Sequence, residues 1–297
     1  MKTRIGRFTM LSCLFVLAAL VQLVQLPVAQ ADSWYWLSSD SKYSKFFDPT
    51  SVYTEESAKT SHGNVPIAIR AWTRTNYSYG GAQETLAAYK LTKLIPDATQ
   101  LSYSYAQVLI NPQNRTLQYL EEAFYDAKGT RLWHTTAPGR LKEINSQEFD
   151  EAFYTAIVDE TFRTEQETER AKAKDRWLSL WEEATLDGHR TSVMVDTSTL
   201  RLRDKNVIGW FWQETKDSNG AVLEIKFLKR AINLPQGSEK VVSGKYWSAK
   251  TGWQPMRDMD GIYRAIRTGT AKYTGLQALR NYAKTHQDWL TRYQISK

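Results

Sequence analysis

The chain has 297 residues, a formal net charge of +7, one cysteine and an aromatic content of 12%. The single cysteine, Cys13, excludes an internal disulfide. Basic and acidic residues are interspersed, whereas a nucleic-acid-binding protein usually concentrates its basic residues on one face, so we expect no nucleic-acid partner.

The first 31 residues have the pattern of a secretory signal peptide. Lys2, Arg4 and Arg7 precede a long apolar stretch, and residues 29–31 (AQA) are small at the positions that a signal peptidase reads. We therefore predict cleavage before Asp32 and a protein that is periplasmic, cell-surface or extracellular. The alternative is an uncleaved signal that anchors the chain, because the apolar stretch is about long enough to span a membrane.

The segments that follow alternate as antiparallel strands do. An aromatic opening strand (SWYWLSSD) precedes the phrase FFDPTSV, and residues 65–75 alternate apolar with other side chains, as a half-buried strand should. Residues 85–94 are predicted as a short helix at the edge of the sheet. Residues 115–133 predict two strands around a turn at residues 126–129.

A helix closes this first unit. Ser146 is the predicted N-cap, and Phe149, Phe153 and Ile157 recur close to helical spacing behind it. Residues 163–176 are almost wholly polar and lack an apolar face, so they are predicted as a solvated linker that is helical only through Glu/Lys pairs. The domains are then a signal peptide (1–31), a first repeat (32–165), a linker (166–176) and a second repeat (177–297).

The second half repeats the order of the first. VMVDTSTL corresponds to FFDPTSV, so Asp196 pairs with Asp48, and the strand that holds Trp212 corresponds to the strand that holds Trp72. Further on, matching phrases in the two halves keep a constant offset of 122 residues. The second half also ends in a predicted helix, one face of which carries Leu276, Leu279, Ala283, His286 and Leu290. The predicted fold class is α+β, with two tandem repeats that each pack an antiparallel sheet against a C-terminal helix.

No catalytic or metal-binding constellation stands out. The four histidines are far apart in the sequence, and no hydrolase or zinc motif occurs. Glu121 and Glu122 are adjacent on a predicted strand, so their side chains should face opposite ways and make a poor acid/base pair. We expect no cofactor, no metal and no enzymatic activity, the alternative being a hydrolase with a dispersed site.

Two features admit both a structural and a binding interpretation. Asp48 and Asp196 each precede a Ser or Thr by two residues, which favours a local turn closed by the carboxylate over a ligand site. Most aromatic residues are expected in the core, because they alternate with polar residues on predicted strands. The candidates for ligand contact are Trp34, Trp36, Trp247 and Trp253.

Three phrases of the first unit occur in the order typical of one family: WYWLSSDSKYSKFFDPTSV, IAIRAWTRTNYS and QYLEEAFYDAKGTRLW. Each unit resembles the domain of the bacterial surface-adhesin protein E family, with looser wording in the second unit. The resemblance implies an antiparallel sheet with a C-terminal helix, and adhesion to host or matrix proteins. Members of that family can carry cysteines that tie sheet to helix, and often a lipid anchor. This sequence has no cysteine after residue 13, so cell surface, periplasm and release all stay open. The alternative function is a carbohydrate- or peptidoglycan-binding protein that uses exposed aromatic residues.

Overall fold

The computed structural model describes residues 33–60, 63–257 and 259–295, and Tyr35–Lys297 form one compact unit. The predicted signal peptide lies outside the described residues. Two antiparallel sheets of eight strands each, accompanied by a few helices, form the unit. This architecture is compatible with the predicted α+β class and with two tandem units.

The first sheet has the strand order β1-β2-β4-β5-β6-β7, with β3 paired to β4 and β8 paired to β6. Its strands are β1 (Tyr35–Ser39), β2 (Tyr43–Phe47), β3 (Tyr53–Thr60), β4 (Gly63–Tyr77), β5 (Tyr103–Asn111), β6 (Thr116–Tyr125), β7 (Arg131–Thr135) and β8 (Lys142–Glu143). Helix α1 (Tyr79–Ala88) lies between β4 and β5, and helix α2 (Glu151–Phe162) follows β8.

The second sheet repeats that order strand for strand, as β9-β10-β12-β13-β14-β15 with β11 paired to β12 and β16 to β14. Its strands are β9 (Trp177–Ala184), β10 (Arg190–Asp196), β11 (Arg201–Arg203), β12 (Asn206–Lys216), β13 (Val222–Asn233), β14 (Ser238–Ser248), β15 (Gly252–Pro255) and β16 (Arg264–Ala265). Helix α3 (Gln166–Lys172) joins the two halves, and α4 (Ala271–Thr285) and α5 (Gln287–Thr291) end the second.

The strand registers confirm the offset of 122 residues. Ile110 lies opposite Leu117 in the first sheet, and Ile232 lies opposite Glu239 in the second, so both partners differ by 122 in number. The pairs Leu117–Lys142 and Glu239–Arg264 keep the same offset. Equivalent positions can therefore be assigned from β5 and β13 onward.

The two Asp phrases form the same turn. Asp48 Oδ1 accepts hydrogen bonds from the Thr50 N–H and hydroxyl at 2.9 and 2.7 Å, and thereby caps a 3-10 helix, Pro49–Ser51. Asp196 Oδ1 accepts from the N–H and hydroxyl of Ser198 at 3.1 and 2.7 Å and caps Thr197–Thr199. The turn interpretation is therefore what the geometry shows at both positions.

The tryptophan that corresponds to Trp72 is Trp210, two residues before the expected Trp212. The Trp72 N–H donates to Ser51 Oγ, and the Trp210 N–H donates to Thr199 Oγ1, both at 2.9 Å. Strand residues two apart share a face, so Trp212 has the orientation of Trp72 but lies one pair further along. Strand β11 has three residues whereas its counterpart β3 has eight, and this difference in strand length hid the register in the sequence.

Each sheet buries one face against its closing helix. In the first half, Ile69, Val108 and Ile110 pack with Phe153 and Ile157 of α2, all of them fully buried. In the second half, Val195, Val207 and Phe211 pack with Leu276 and Leu279 of α4. Fully burying such side chains stabilises the fold by about 1.5–3 kcal/mol each.

Two helices begin away from their predicted starts. The closing helix of the first half begins at Glu151 after Asp150, and not after Ser146, because Asn145 forms a turn by accepting the Gln147 N–H at 3.0 Å. The edge helix spans Tyr79–Ala88 instead of residues 85–94, since the Ser78 hydroxyl accepts the Gly81 N–H and starts the helix earlier.

The predicted solvated linker is solvated only in part, because several of its residues are exposed but one carboxylate is buried. Glu167 of α3 is completely buried and accepts hydrogen bonds from three guanidinium groups, which belong to Arg115 (2.8 Å), Arg201 (3.2 Å) and Arg292 (2.6 Å). Arg115 belongs to the first half, whereas Arg201 and Arg292 belong to the second. One carboxylate of the linker thus ties the two halves together.

A second group of charges and an aromatic contact extend this junction. Arg176 donates to Glu151 of α2 at 2.7 Å and to Asp196 of the second half, also at 2.7 Å. Tyr293, near the end of the chain, belongs to the core cluster of the first half, and its ring lies 4.4 Å from that of Phe162. The halves therefore share both a polar and an apolar interface.

Candidate functional site

The tryptophans are less buried than the aromatic residues of the core. The fully buried aromatic side chains are Tyr154, Phe124, Phe153, Phe211 and Phe227. None of the eleven tryptophans, all of which lie within the described residues, is buried to the same degree. The expected aromatic core is thus made of Phe and Tyr, and the tryptophans lie at its margins or on the outer faces.

Five tryptophans collect on one face of the second sheet. In β12 the buried residues Val207, Gly209 and Phe211 face the helix, so the alternate residues Trp210 and Trp212 face away from it. Directly opposite residues of an antiparallel pair share a face. The pairs Trp212–Phe227, Phe227–Lys245 and Trp247–Trp253 therefore extend this outer face across the sheet.

The rings on this face contact one another. We call it the tryptophan face and define it by Trp177, Trp210, Trp212, Phe227, Trp247 and Trp253. The Trp210 ring stacks on Phe227 with centroids 4.7 Å apart, and Trp212 meets Trp177 and Trp253 edge to face at 6.5 and 6.1 Å. These contacts cover Phe227 completely and leave Trp253 38% exposed.

A lysine lies across the exposed part of the tryptophan face. Lys245 Nζ lies 5.2 Å from the Trp253 ring centroid and 5.7 Å from that of Phe227. A cation over an aromatic ring is attracted to it electrostatically. The face thus combines a large apolar area with one positive charge at its exposed part. Aromatic side chains such as these are enriched at the centres of protein interfaces, whereas lysine is more typical of the polar rim.

The first half reaches onto one end of the tryptophan face. Glu143 of β8 accepts the Trp210 Nε1–H at 3.2 Å and pairs with Lys229 at 2.8 Å. A groove of about 520 Å³ runs between residues 140–148 and the Trp210, Phe227 and Lys245 side chains. Burial raises the pKa of Glu148 in this groove, and the nearby Lys245 ammonium opposes the rise.

The four tryptophans proposed from the sequence are only partly brought together. Trp247 and Trp253 lie directly opposite each other on the tryptophan face. Trp36 belongs to β1 of the first sheet, is 57% exposed and donates its Nε1–H to Ser39 Oγ at 2.9 Å. Trp34 is half-buried before β1. Sequence reasoning missed Trp177, Trp210 and Lys245. The alternation of Trp210 with Trp212 and of Lys245 with Trp247 was a usable signal for two of them.

The histidines play local roles. His134 Nε2 lies 3.0 Å from Glu121, and His189 Nδ1 lies 3.3 Å from Asp187 in the turn before β10. The position of His286 on the apolar stripe of the last helix predicts partial burial, but His286 ends α4, is exposed and stacks on Tyr282 at 4.0 Å. His62 lies outside the described residues. In the part of the chain that the structure describes, no group of histidine and acidic side chains is arranged to hold a metal ion.

Comparisons add no relative to this picture. Among the described residues, no helix combines the length and the apolarity needed to cross a membrane. No protein-family model matches the chain, and no match to it was found among curated proteins.

Proposed function

We propose that this protein is an exported, non-catalytic binding protein of the cell envelope, which recognises a partner protein through the tryptophan face. The observation that carries the proposal is that five tryptophans of one sheet share its outer face, where Trp253 stays exposed beside Lys245. Large aromatic side chains that end at a protein surface are the residues that most often dominate binding energy.

The proposal combines this face with two features of the sequence. The signal-peptide pattern of residues 1–31 supports export, and the resemblance to the surface-adhesin protein E family supports adhesion as the role. The common strand order and the offset of 122 residues support an origin by tandem duplication of one sheet-plus-helix unit.

The proposed mode of binding differs from that of two domains joined by a flexible linker. The halves share the Glu167 cluster and the Tyr293 contact, so neither half is free to move independently of the other. Two flexibly linked modules would gain affinity through effective concentration. Here we propose one composite binding body in which the second half carries the contact surface.

The test compares tryptophan variants of the full chain on immobilised matrix proteins and on a glycan panel that includes peptidoglycan fragments. We expect the double variant Trp247→Ala/Trp253→Ala to lose about 2 kcal/mol or more in affinity for a matrix protein, or about thirtyfold in Kd. Trp36→Ala is the matched control, because it removes an even more exposed tryptophan from the other sheet. Equal loss in both variants would refute the assignment, and binding confined to glycans would favour the carbohydrate-binding alternative.

A further inference from the structure

The first half contains a cavity that does not depend on the tryptophan face. It has a volume of about 290 Å³ and lies beside α1, β4, β5, β6 and the start of α2. Helix α1, whose residues Glu84, Thr85 and Ala88 line the cavity, belongs to a segment without a counterpart in the second half. The insertion thus supplies one wall of the cavity.

The floor of the cavity is polar at positions where the second sheet is not. Ala106 lies opposite Glu122 in the first sheet, and the equivalent pair in the second sheet is Leu228 and Gly244. At Gly244 an added Cβ would lie 2.7 Å from Leu228 Cδ2 and 2.9 Å from the Phe227 carbonyl oxygen, so that position has no room for a side chain. The first half alone therefore places a carboxylate at this point.

Aromatic rings surround the cavity. Tyr43, Tyr77, Tyr89, Tyr119 and Phe149 all line it, and Tyr89 and Phe149 are exposed, by 40% and 36%. Tyr43 meets Tyr77 edge to face at 6.1 Å and Phe149 at 5.0 Å, which fixes the ring orientations. Rings held in this way attract an organic cation through their faces.

The acidic side chains that line the cavity each pair with a cationic side chain, except for Glu122. Asp150 accepts the Tyr119 hydroxyl at 2.6 Å and the Lys142 ammonium at 2.8 Å, and Glu84 pairs with Lys42 at 2.6 Å. Glu122 is 93% buried, since only 7% of its surface is exposed, and among the described residues it has no cation within ion-pair distance. A buried carboxylate without a counter-ion is costly to ionise.

The titratable groups around Glu122 come from every wall of the cavity. They are Tyr43 of β2, Tyr77 of β4, Glu84 of α1 and Tyr89 after it, Tyr119 of β6, Lys142 of β8 and Asp150 before α2. Burial raises the pKa of Glu122 to about 7, the Tyr89 hydroxyl and Lys142 oppose the rise, and Asp150 adds to it. Lys142 is already engaged by Asp150, so it does not neutralise Glu122.

We propose that this cavity binds a small organic ammonium ion, whose positive charge pairs with Glu122 and lies against the surrounding aromatic rings. The tyrosine, threonine and serine hydroxyls that line the walls offer hydrogen-bond acceptors to N–H groups. The volume admits a molecule with a handful of heavy atoms, and the partly exposed Tyr89 and Phe149 rings belong to the lining that it would contact. This site is separate from the tryptophan face, so each proposal stands or fails without the other.

The experiment titrates the full chain by calorimetry with n-butylammonium and choline, and with their neutral counterparts 1-butanol and 3,3-dimethylbutan-1-ol. At about pH 8, where Glu122 is ionised, we expect at least one ammonium ion to bind with a Kd below about 1 mM, and its neutral counterpart to bind about tenfold more weakly or worse. The affinity should fall as the pH is lowered through about 7, because protonation of Glu122 removes its charge. The two ammonium probes distinguish a primary-amine ligand from a quaternary one.

Matched variants separate the proposed contact from general effects of charge. Glu122→Gln should weaken ammonium binding about tenfold or more and abolish its pH dependence. Glu121→Gln, one residue away on the opposite face, should leave it unchanged. Phe149→Leu keeps an apolar side chain at the exposed rim and should weaken binding severalfold. Equal binding of the neutral counterparts, unchanged binding in Glu122→Gln, or no binding of either ammonium ion would overturn the proposal.

Discussion

Replacing Glu122 with glutamine should stabilise the protein at alkaline pH. Glutamine keeps the size of the side chain and an oxygen that can accept a hydrogen bond from Tyr89, but it carries no charge to bury. The carboxylate of Glu122 has no ion-pair partner among the described residues and is 93% buried. Burial is the main reason that its pKa rises from 4.5 to about 7.

The magnitude follows from the rise in pKa. Each pKa unit corresponds to about 1.4 kcal/mol, so the rise from 4.5 to about 7 costs the folded protein roughly 3 kcal/mol once the carboxylate is ionised. Between these two pH values the folded state holds a proton that the unfolded state has released. Wild-type stability must therefore decline, relative to the variant, as the pH rises through this window.

Urea unfolding of the wild type and the variant, followed by tryptophan fluorescence over a series of pH values, measures this difference. We expect Glu122→Gln to gain up to about 3 kcal/mol of unfolding free energy above pH 7, relative to its effect near pH 4.5. Glu121→Gln is the control, because Glu121 lies at the surface beside His134 and such a pair contributes about 0–1 kcal/mol. A stability difference that does not change with pH would show that Glu122 is not a buried, unpaired carboxylate in the folded protein.

Three further predictions concern the junction and the glycines. Glu167→Gln should destabilise the protein by about 3–5 kcal/mol, because three buried guanidinium groups lose their shared counter-ion. The midpoint of urea unfolding should fall sharply, and a nearly unchanged midpoint would contradict this prediction. Gly275→Ala in α4 should destabilise despite the better helix propensity of alanine, because a Cβ there would lie 2.6 Å from Trp181 Cδ1. Gly80→Ala in α1 should stabilise by up to about 1 kcal/mol, since nothing lies within 4 Å of its added Cβ; thermal unfolding of both glycine variants checks these opposite signs.

Local patterns in the sequence were sufficient to predict the strands and the repeat. The alternation in residues 65–75 describes neighbours along one strand, and the burial pattern of β4 agrees with it. The constant offset of 122 residues relates two local hairpin patterns, and the strand registers confirm it. The opposite orientation of Glu121 and Glu122 was also correct, as Glu121 lies beside His134 and Glu122 lines the cavity. The alternation of apolar and polar residues along a strand does not reveal which face of the sheet another element covers.

The features that the sequence did not predict depend on contacts between distant residues. In the sequence, Glu167 is one charged residue in a polar stretch. Its guanidinium partners belong to Arg115 and Arg292, which are 52 and 125 residues away. The cavity likewise requires α1 and α2 to lie beside the same sheet, so Glu122 could not be recognised as a site from its own surroundings. Most aromatic residues were expected in the core, with Trp247 and Trp253 among the candidates for ligand contact. The helices cover the opposite face of the second sheet and leave the tryptophan face outside.

Hydrogen–deuterium exchange of the full chain, with and without a matrix protein that it binds, tests most directly whether the second sheet carries recognition. We expect binding to slow exchange in Val222–Asn233, Ser238–Ser248 and Gly252–Pro255, the strands that carry Phe227, Trp247 and Trp253. Protection confined to Tyr35–Ser39 and the other strands of the first sheet, with no change in these three, would contradict it.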